Sequence, residues 1–306
     1  MSDPRATLRR MFPDAPDAAG SSTSRGAAPD SSVCSVDGGP LAALTLDQWR
    51  SFEPAAARRV AREAADLVGG RLVGVEAVEH LGGPSHRVRI ERDGQEFALI
   101  PGGRVTLGFD ARTWRPTAEQ TADYAVSREQ GFEYGTDLRE HLVRVLSPRR
   151  TVVLPTVLMA VEGEQLTEAP ADMPAVLAER GLRMPTSDEW EHACGAGAGT
   201  VFRWGDDCPL DRIPYGDLTG PHNEPNAFGL RIAHDTYSTE LTSDTSEVRG
   251  GDGGESVCGG YGHLLAWLPL ATAHTHPDTA EFVYGEDGDG LYEDFTVRPV
   301  LTLRRA

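Results

Sequence analysis

The pattern of apolar and polar residues first predicts two helices. Thr45 precedes an apolar stretch that it can cap as a short helix over residues 46–52. Pro54 suits the first turn of a second helix, which extends to residue 67 and ends at Gly69-Gly70.

Three short segments after these helices have the pattern of β-strands. Residues 71–78, 86–91 and 96–100 alternate or run apolar, and Asp93-Gly94 has the composition of a hairpin turn. Residues 41–93 therefore predict a helix plus β-hairpin extension. Whether this extension is a separate module or a decoration of the following domain stays open.

The remaining chain mixes strands and helices. Residues 105–109 predict a strand, 116–146 are polar and partly helical, and 151–161 predict a strand pair bent at Pro155. Residues 171–180 predict another helix. No internal repeat or heptad pattern is present.

The segment RMPTSDEWEHACG has the features of a well-capped core helix. Thr186 and Glu189 have the spacing of a capping box. Trp190, Ala193 and Cys194 follow at helical spacing and predict one buried face.

The same segment resembles the Arg-Leu-Pro-Thr-x-x-Glu-Trp-Glu signature of the formylglycine-generating, or sulfatase-modifying-factor, family. Four further landmarks of that family appear in the same order, at residues 97–108 (FALIPGGRVTLG), 225–230 (PNAFGL), 248–251 (VRGG) and 295–298 (FTVR). The resemblance implies a loop-rich α+β fold of the C-type-lectin type with short antiparallel strands. It covers a predicted domain over residues 94–306.

The residues that carry the family's chemistry are incomplete in this chain. Catalytic members are expected to hold Cu(I) with two cysteines shortly after the Arg-Gly-Gly landmark, since soft thiolates suit that ion. Here Cys258 stands alone, and His263 falls five residues later, near the second cysteine position. The resemblance therefore implies either a Cys258/His263 copper or iron centre with a catalytic role, or a cysteine that is only a small loop residue.

Calcium is a second cofactor that the resemblance raises. The segment HDTYSTEL replaces the family's calcium-binding segment, and Asp235 and Glu240 could still supply oxygen ligands. Asp287 and Asp289 lie in an acidic run over residues 278–294 and resemble part of a calcium loop, although a solvated acidic loop is the alternative. His274 and His276 are predicted to be ordinary surface histidines.

Composition excludes several classes of function. All 29 basic residues are arginine, so Schiff-base chemistry and the lysine of a Walker loop are excluded. The net charge of −18 disfavours nucleic acid and anionic membranes as partners. The four cysteines form no CxxC pair, which predicts reduced thiols. No apolar leader is present, which predicts a cytoplasmic protein. The first 40 residues are rich in Pro, Ala, Gly, Ser and Asp and are predicted to form a disordered arm.

Two functions follow from these observations. The favoured one is a divergent, non-oxidase family member that binds a peptide, a small molecule or a protein partner. The alternative is an O2-dependent copper or iron oxidase that acts on a peptide cysteine or a small molecule at Cys258 and His263.

Overall fold

The computed structural model describes residues 41–132, 135–285 and 295–303, which all belong to one unit within Gly38–Ala306. The predicted disordered arm, residues 1–40, lies outside the described residues. The fold is α+β, as predicted. The helices are α1 Leu46–Ser51, α2 Pro54–Leu67, α3 Ala118–Glu129, α4 Leu138–Val145, α5 Met173–Glu179, α6 Ser187–Gly195, α7 Glu255–Gly259, α8 His263–Trp267 and α9 Pro277–Tyr284.

The strands form three sheets. They are β1 Arg71–His80, β2 Gly83–Arg92, β3 Gln95–Ile100, β4 Gly103–Leu107, β5 Arg150–Leu154, β6 Val157–Ala160, β7 Glu164–Gln165, β8 Thr239–Leu241, β9 Arg249–Gly250, β10 Phe295–Val297 and β11 Val300–Thr302. A five-stranded sheet in the order β1-β2-β3-β6-β11 and the pair β4-β5 are antiparallel throughout. In the third sheet, β7-β10-β8-β9, only β10 and β8 run parallel.

The first hairpin is longer than the pattern predicts. Strands β1 and β2 each span ten residues and meet at the two-residue turn Leu81-Gly82, whose φ angles of 49° and 77° are left-handed. No residue of β1 is buried. Its last residues are held in the strand by backbone hydrogen bonds to β2, although their sequence has no apolar alternation that would predict a strand. Because β2 pairs with β3, residues 41–93 share a sheet with the segment that follows them.

Capping and turn signals are confirmed where they were predicted. Thr45 and Gln48 form a capping box at α1, and Thr186 and Glu189 form another at α6. The Asp93-Gly94 turn joins β2 to β3 with both residues at positive φ. These local signals work because each satisfies backbone groups that the adjoining element leaves unpaired.

The buried residues form separate clusters around the central sheet. One cluster packs the alanine face of α2 against β2, β3 and β6. A second packs Trp190, Ala193 and Cys194 of α6, all fully buried, against the other face of β3 and β6. Helix α6 therefore lies in the interior, with the loops of the second half of the chain around it.

Candidate functional site

Helix α6 begins at a tightly bonded N-terminus. The Thr186 hydroxyl accepts a hydrogen bond from the Glu189 amide at 3.1 Å. The Glu189 carboxylate in turn accepts hydrogen bonds from both terminal nitrogens of Arg183, at 2.7 and 2.6 Å. The Arg-x-Pro-Thr-x-x-Glu part of the signature therefore builds the helix start, since it pairs a two-pronged arginine with a capping carboxylate.

The tryptophan of the signature donates a hydrogen bond to a buried ion pair. Trp190 Nε1 donates to Glu240 Oε2 at 2.8 Å, and Arg298 donates to both Glu240 oxygens at 2.9 and 2.6 Å. Arg298 also donates to three backbone carbonyls, those of Ala160, Val161 and Arg231. Arg298 is 1% exposed and Glu240 4%, so the landmark at residues 295–298 is attached to α6 through Glu240.

The second glutamate of the signature anchors another landmark. Glu191 is 1% exposed and accepts hydrogen bonds from Ser147 Oγ at 2.9 Å, from Arg150 at 2.9 Å and from the Gly108 amide. Arg249, which is also buried, lies 3.1 Å from the same carboxylate and donates to Ser187 Oγ and the His274 carbonyl. The Val-Arg-Gly-Gly landmark is thus held by a buried charge network, in which each charge has an opposite partner.

The other end of α6 contacts the two remaining landmarks. His192 Nε2 donates to the Pro101 carbonyl at 2.7 Å. Asn226 Nδ2 donates to the Ala193 and Cys194 carbonyls at 2.6 and 3.0 Å, which supplies partners at the helix C-terminus. All four landmark segments are therefore bonded to one helix or to a side chain that it holds, and their polar residues serve to hold the structure together.

Cys258, the predicted catalytic and metal residue, lies on an exposed short helix. Helix α7 is positioned by Asp252, whose carboxylate accepts the Gly254 amide at 3.0 Å and the Ser256 amide and hydroxyl at 2.9 and 2.6 Å. Burial raises the pKa of Asp252. The sequence places Cys258 in a glycine-rich loop, but these bonds to Asp252 organise one helical turn there.

A tyrosine lies against the Cys258 thiol. Tyr237 Oη is 2.9 Å from Cys258 Sγ. A Cβ at Gly254, whose φ is +82°, would lie 2.2 Å from Tyr237 Cε1, so only glycine leaves room for this ring. The hydrogen bond with Cys258 raises the pKa of Tyr237, so the phenol is protonated and can donate to the sulfur.

Further aromatic and acidic groups surround this pair. The Tyr215 ring, on a residue that is 63% exposed, lies 5.1 Å from the Tyr237 ring. Tyr261 stacks on Phe132 at 4.3 Å and donates to Glu255 at 2.8 Å. These residues, Tyr215, Phe132, Tyr237, Glu255, Cys258 and Tyr261, are called the thiol surface below.

Glu255 links the thiol surface to His276. Its Oε2 lies 3.6 Å from His276 Nε2, and hydrogen bonding with His276 lowers the pKa of Glu255. The other ring nitrogen of His276 lies 2.6 Å from Thr279 Oγ1. Glu255 is therefore ionised at neutral pH and adds a negative charge beside the thiol.

His263, the second predicted catalytic and metal residue, has a different neighbour. Its Nδ1 lies 3.5 Å from Asp123 Oδ1, and Asp123 Oδ2 accepts the Leu264 amide at 2.8 Å. A two-coordinate Cu(I) site needs its two soft donors directed at one point. As placed, Cys258 faces Tyr237 and His263 faces Asp123, so the two side chains do not form that pair.

The two predicted calcium ligands that the structure describes have other partners. Both Glu240 oxygens are engaged by Arg298 and Trp190, which leaves no free oxygen for calcium and corrects that prediction. Asp235 is exposed and accepts the Tyr237 amide at 2.9 Å. Asp287 and Asp289 lie outside the described residues. Among the residues that are described, no three His, Cys, Asp or Glu side chains are grouped so as to hold a metal.

The histidine prediction is wrong for His274. His274 is 5% exposed, and burial lowers its pKa to about 3. The residue forms a single bridge with Leu146 rather than lying in a strand. Residues 278–284 of the predicted acidic loop lie in α9.

Reagents for thiols are expected to distinguish the described cysteines. Burial raises the pKa of both Cys194 and Cys208 to about 12, whereas Cys258 is exposed. In a Cys34→Ser background, iodoacetamide should label Cys258 alone in the folded protein and all three cysteines in guanidinium, because the thiolate is the reactive form. Peptide mass spectrometry gives the sites, and early labelling of Cys194 would contradict this placement.

Comparison with known proteins leaves the family open. No family model matches the chain, and a search of curated proteins also found no match. No helix in the described ranges has both the length and the apolar character needed to cross a membrane.

Proposed function

We propose that this chain is a divergent member of the formylglycine-generating family that keeps the family's lectin-like scaffold and uses it for binding. The contacts of α6 support this proposal, because the four landmark segments that resemble the family are joined around that helix. Such contacts explain why these residues would be retained without oxidase chemistry, since a fold and an activity are separable.

The observation that carries the binding role is the composition of the thiol surface. It combines the exposed ring of Tyr215, the neighbouring Tyr237 ring and the ionised Glu255. Aromatic faces beside carboxylates attract cationic side chains. The net charge of −18 adds a long-range attraction for the same class of ligand. The ligand that fits is a peptide segment or partner loop with an exposed basic side chain.

Fluorescence anisotropy with defined peptides tests this role. The probe is a labelled Gly-Ser peptide with two central arginines, and the matched peptide carries two glutamines. The arginine peptide should bind more tightly, and Tyr215→Ala should weaken it roughly fivefold, which corresponds to about 1 kcal/mol for a lost cation–π contact. Tyr284→Phe, at a half-buried tyrosine that bonds the Thr242 carbonyl, is the control.

Copper distinguishes this proposal from the oxidase alternative. Titration of the reduced protein with Cu(I) in competition with a chromogenic chelator should give the same result for the wild type and for Cys258→Ser. One equivalent of tightly bound Cu(I) that is lost both in Cys258→Ser and in His263→Ala would contradict the binding role. Equal binding of the arginine and glutamine peptides would contradict the assigned ligand.

A further inference from the structure

A second candidate site lies on another part of the molecule, between the N-terminal helices and α6. A cavity of about 230 Å³ opens between α1, β4 and the C-terminal end of α6. Its lining packs closely around two glycines: a Cβ at Gly197 would lie 2.7 Å from Arg50 Nη2 and from Leu46 Cδ2. A Cβ at Gly195 would lie 2.7 Å from Thr272 Cγ2. The volume is below the ~300–1,000 Å³ of sites for drug-sized ligands, so it suits a small molecule.

One polar group that lines this cavity has no partner. Thr272 is 7% exposed, and its hydroxyl makes no hydrogen bond to any described residue. Burying an unbonded hydroxyl costs roughly 1–3 kcal/mol. Thr272 also lines the cavity, so a bound molecule that offers this hydroxyl a partner would remove that cost.

The charges of the cavity favour an anion. Arg50 donates to the Ala196 carbonyl at 2.8 Å and pairs with no carboxylate in the described part of the chain. Arg104 also lines the cavity and is exposed, and its guanidinium makes neither a hydrogen bond nor an ion pair with any residue that the structure describes. The buried Glu191 carboxylate at this cavity is already neutralised by Arg150 and Arg249. Asp47 is then the only acidic lining residue without such a partner, against two arginines.

We propose that this cavity binds a small carboxylic acid, with Arg104 and Arg50 at its carboxylate and the Thr272 hydroxyl at a second polar group. Guanidinium groups match carboxylates in charge and in two-pronged geometry. The two arginines make this cavity locally favourable for an anion, although the chain as a whole carries a net charge of −18. The inference does not depend on the role of the thiol surface.

Thermal shift and calorimetry with malate, succinate and citrate at constant ionic strength test the site. At least one of them should raise the Tm of the wild type and of Arg58→Gln, which removes an exposed arginine from α2. Arg104→Gln should weaken that ligand roughly tenfold, as expected for loss of a charged hydrogen bond.

Thr272→Val separates ligand binding from a structural role. This variant removes the unbonded hydroxyl but keeps the side-chain shape, so the Tm without ligand should stay equal or rise while the ligand-induced shift is lost. A lower Tm without ligand would show that the hydroxyl stabilises the protein by itself and would overturn its role as a ligand group. No shift with any of the three acids, or a response to inorganic phosphate alone, would overturn the assignment.

Discussion

Replacement of Arg298 by methionine is expected to lower the free energy of unfolding by about 3–5 kcal/mol, because it leaves the buried Glu240 carboxylate without its counter-charge. Arg298 donates to Glu240 through two nitrogens and to three backbone carbonyls, and both residues are almost fully buried. Urea denaturation followed by tryptophan fluorescence measures the loss.

The matched control is Arg231→Met. Its side chain is 48% exposed and lies 3.6 Å from Glu162, which is 55% exposed, so the loss should stay below about 1 kcal/mol. The double variant Arg298→Met/Glu240→Gln should recover part of the stability that Arg298→Met loses, since the unpaired charge is gone. Equal effects of Arg231→Met and Arg298→Met would show that the pair is not buried as described.

The second large effect is expected at Asn226. The Asn226→Ala variant should lose about 3 kcal/mol, because four backbone groups lose a buried partner together. These groups are the Ala193 and Cys194 carbonyls at the end of α6 and the Phe228 and Leu230 amides, at 2.6 to 3.0 Å. Chemical denaturation gives the size of the loss.

Asn223 is the natural comparison, since the chain has only two asparagines. Its amide donates to the Asp217 carbonyl at 2.7 Å and lies 3.4 Å from the Gly220 carbonyl, in the partly exposed 3-10 helix Pro221–Asn223. The Asn223→Ala variant should lose about 1 kcal/mol or less. If Asn223→Ala costs as much as Asn226→Ala, the stabilisation of the α6 end does not come from Asn226.

Local elements could be predicted from the sequence because their signals are local. Each of these signals satisfies a backbone hydrogen-bonding group or fixes a backbone dihedral angle within four residues. They are found at Thr45, Pro54, Asp93-Gly94 and Thr186, where the predicted elements begin or are joined. The α+β class came from the resemblance to the formylglycine-generating family, not from these local signals. The pattern missed the full length of β1, whose residues lie at the edge of the sheet and need no apolar alternation.

The site could be predicted only in part, because its contacts join distant segments. Glu240 looked like an available oxygen ligand, since nothing near it in the chain is basic, and its partner Arg298 lies 58 residues away. Tyr237 was missed as the neighbour of Cys258 for the same reason, 21 residues away. The only sequence signal for this contact was Gly254, in a glycine-rich stretch where glycine is needed for the packed ring.

The order of the five-stranded sheet has a consequence for synthesis of the chain on the ribosome. Strand β11 pairs with β6, which precedes it by about 140 residues, and Arg298 lies two residues before β11. A nascent chain that has emerged through Gly285 already contains α6, Trp190 and Glu240, but not Arg298, which neutralises the Glu240 carboxylate. The core around α6 is therefore expected to form completely only after translation has passed residue 302. Pairing of the last strand with β6 is then the folding step that commits the chain to its native state.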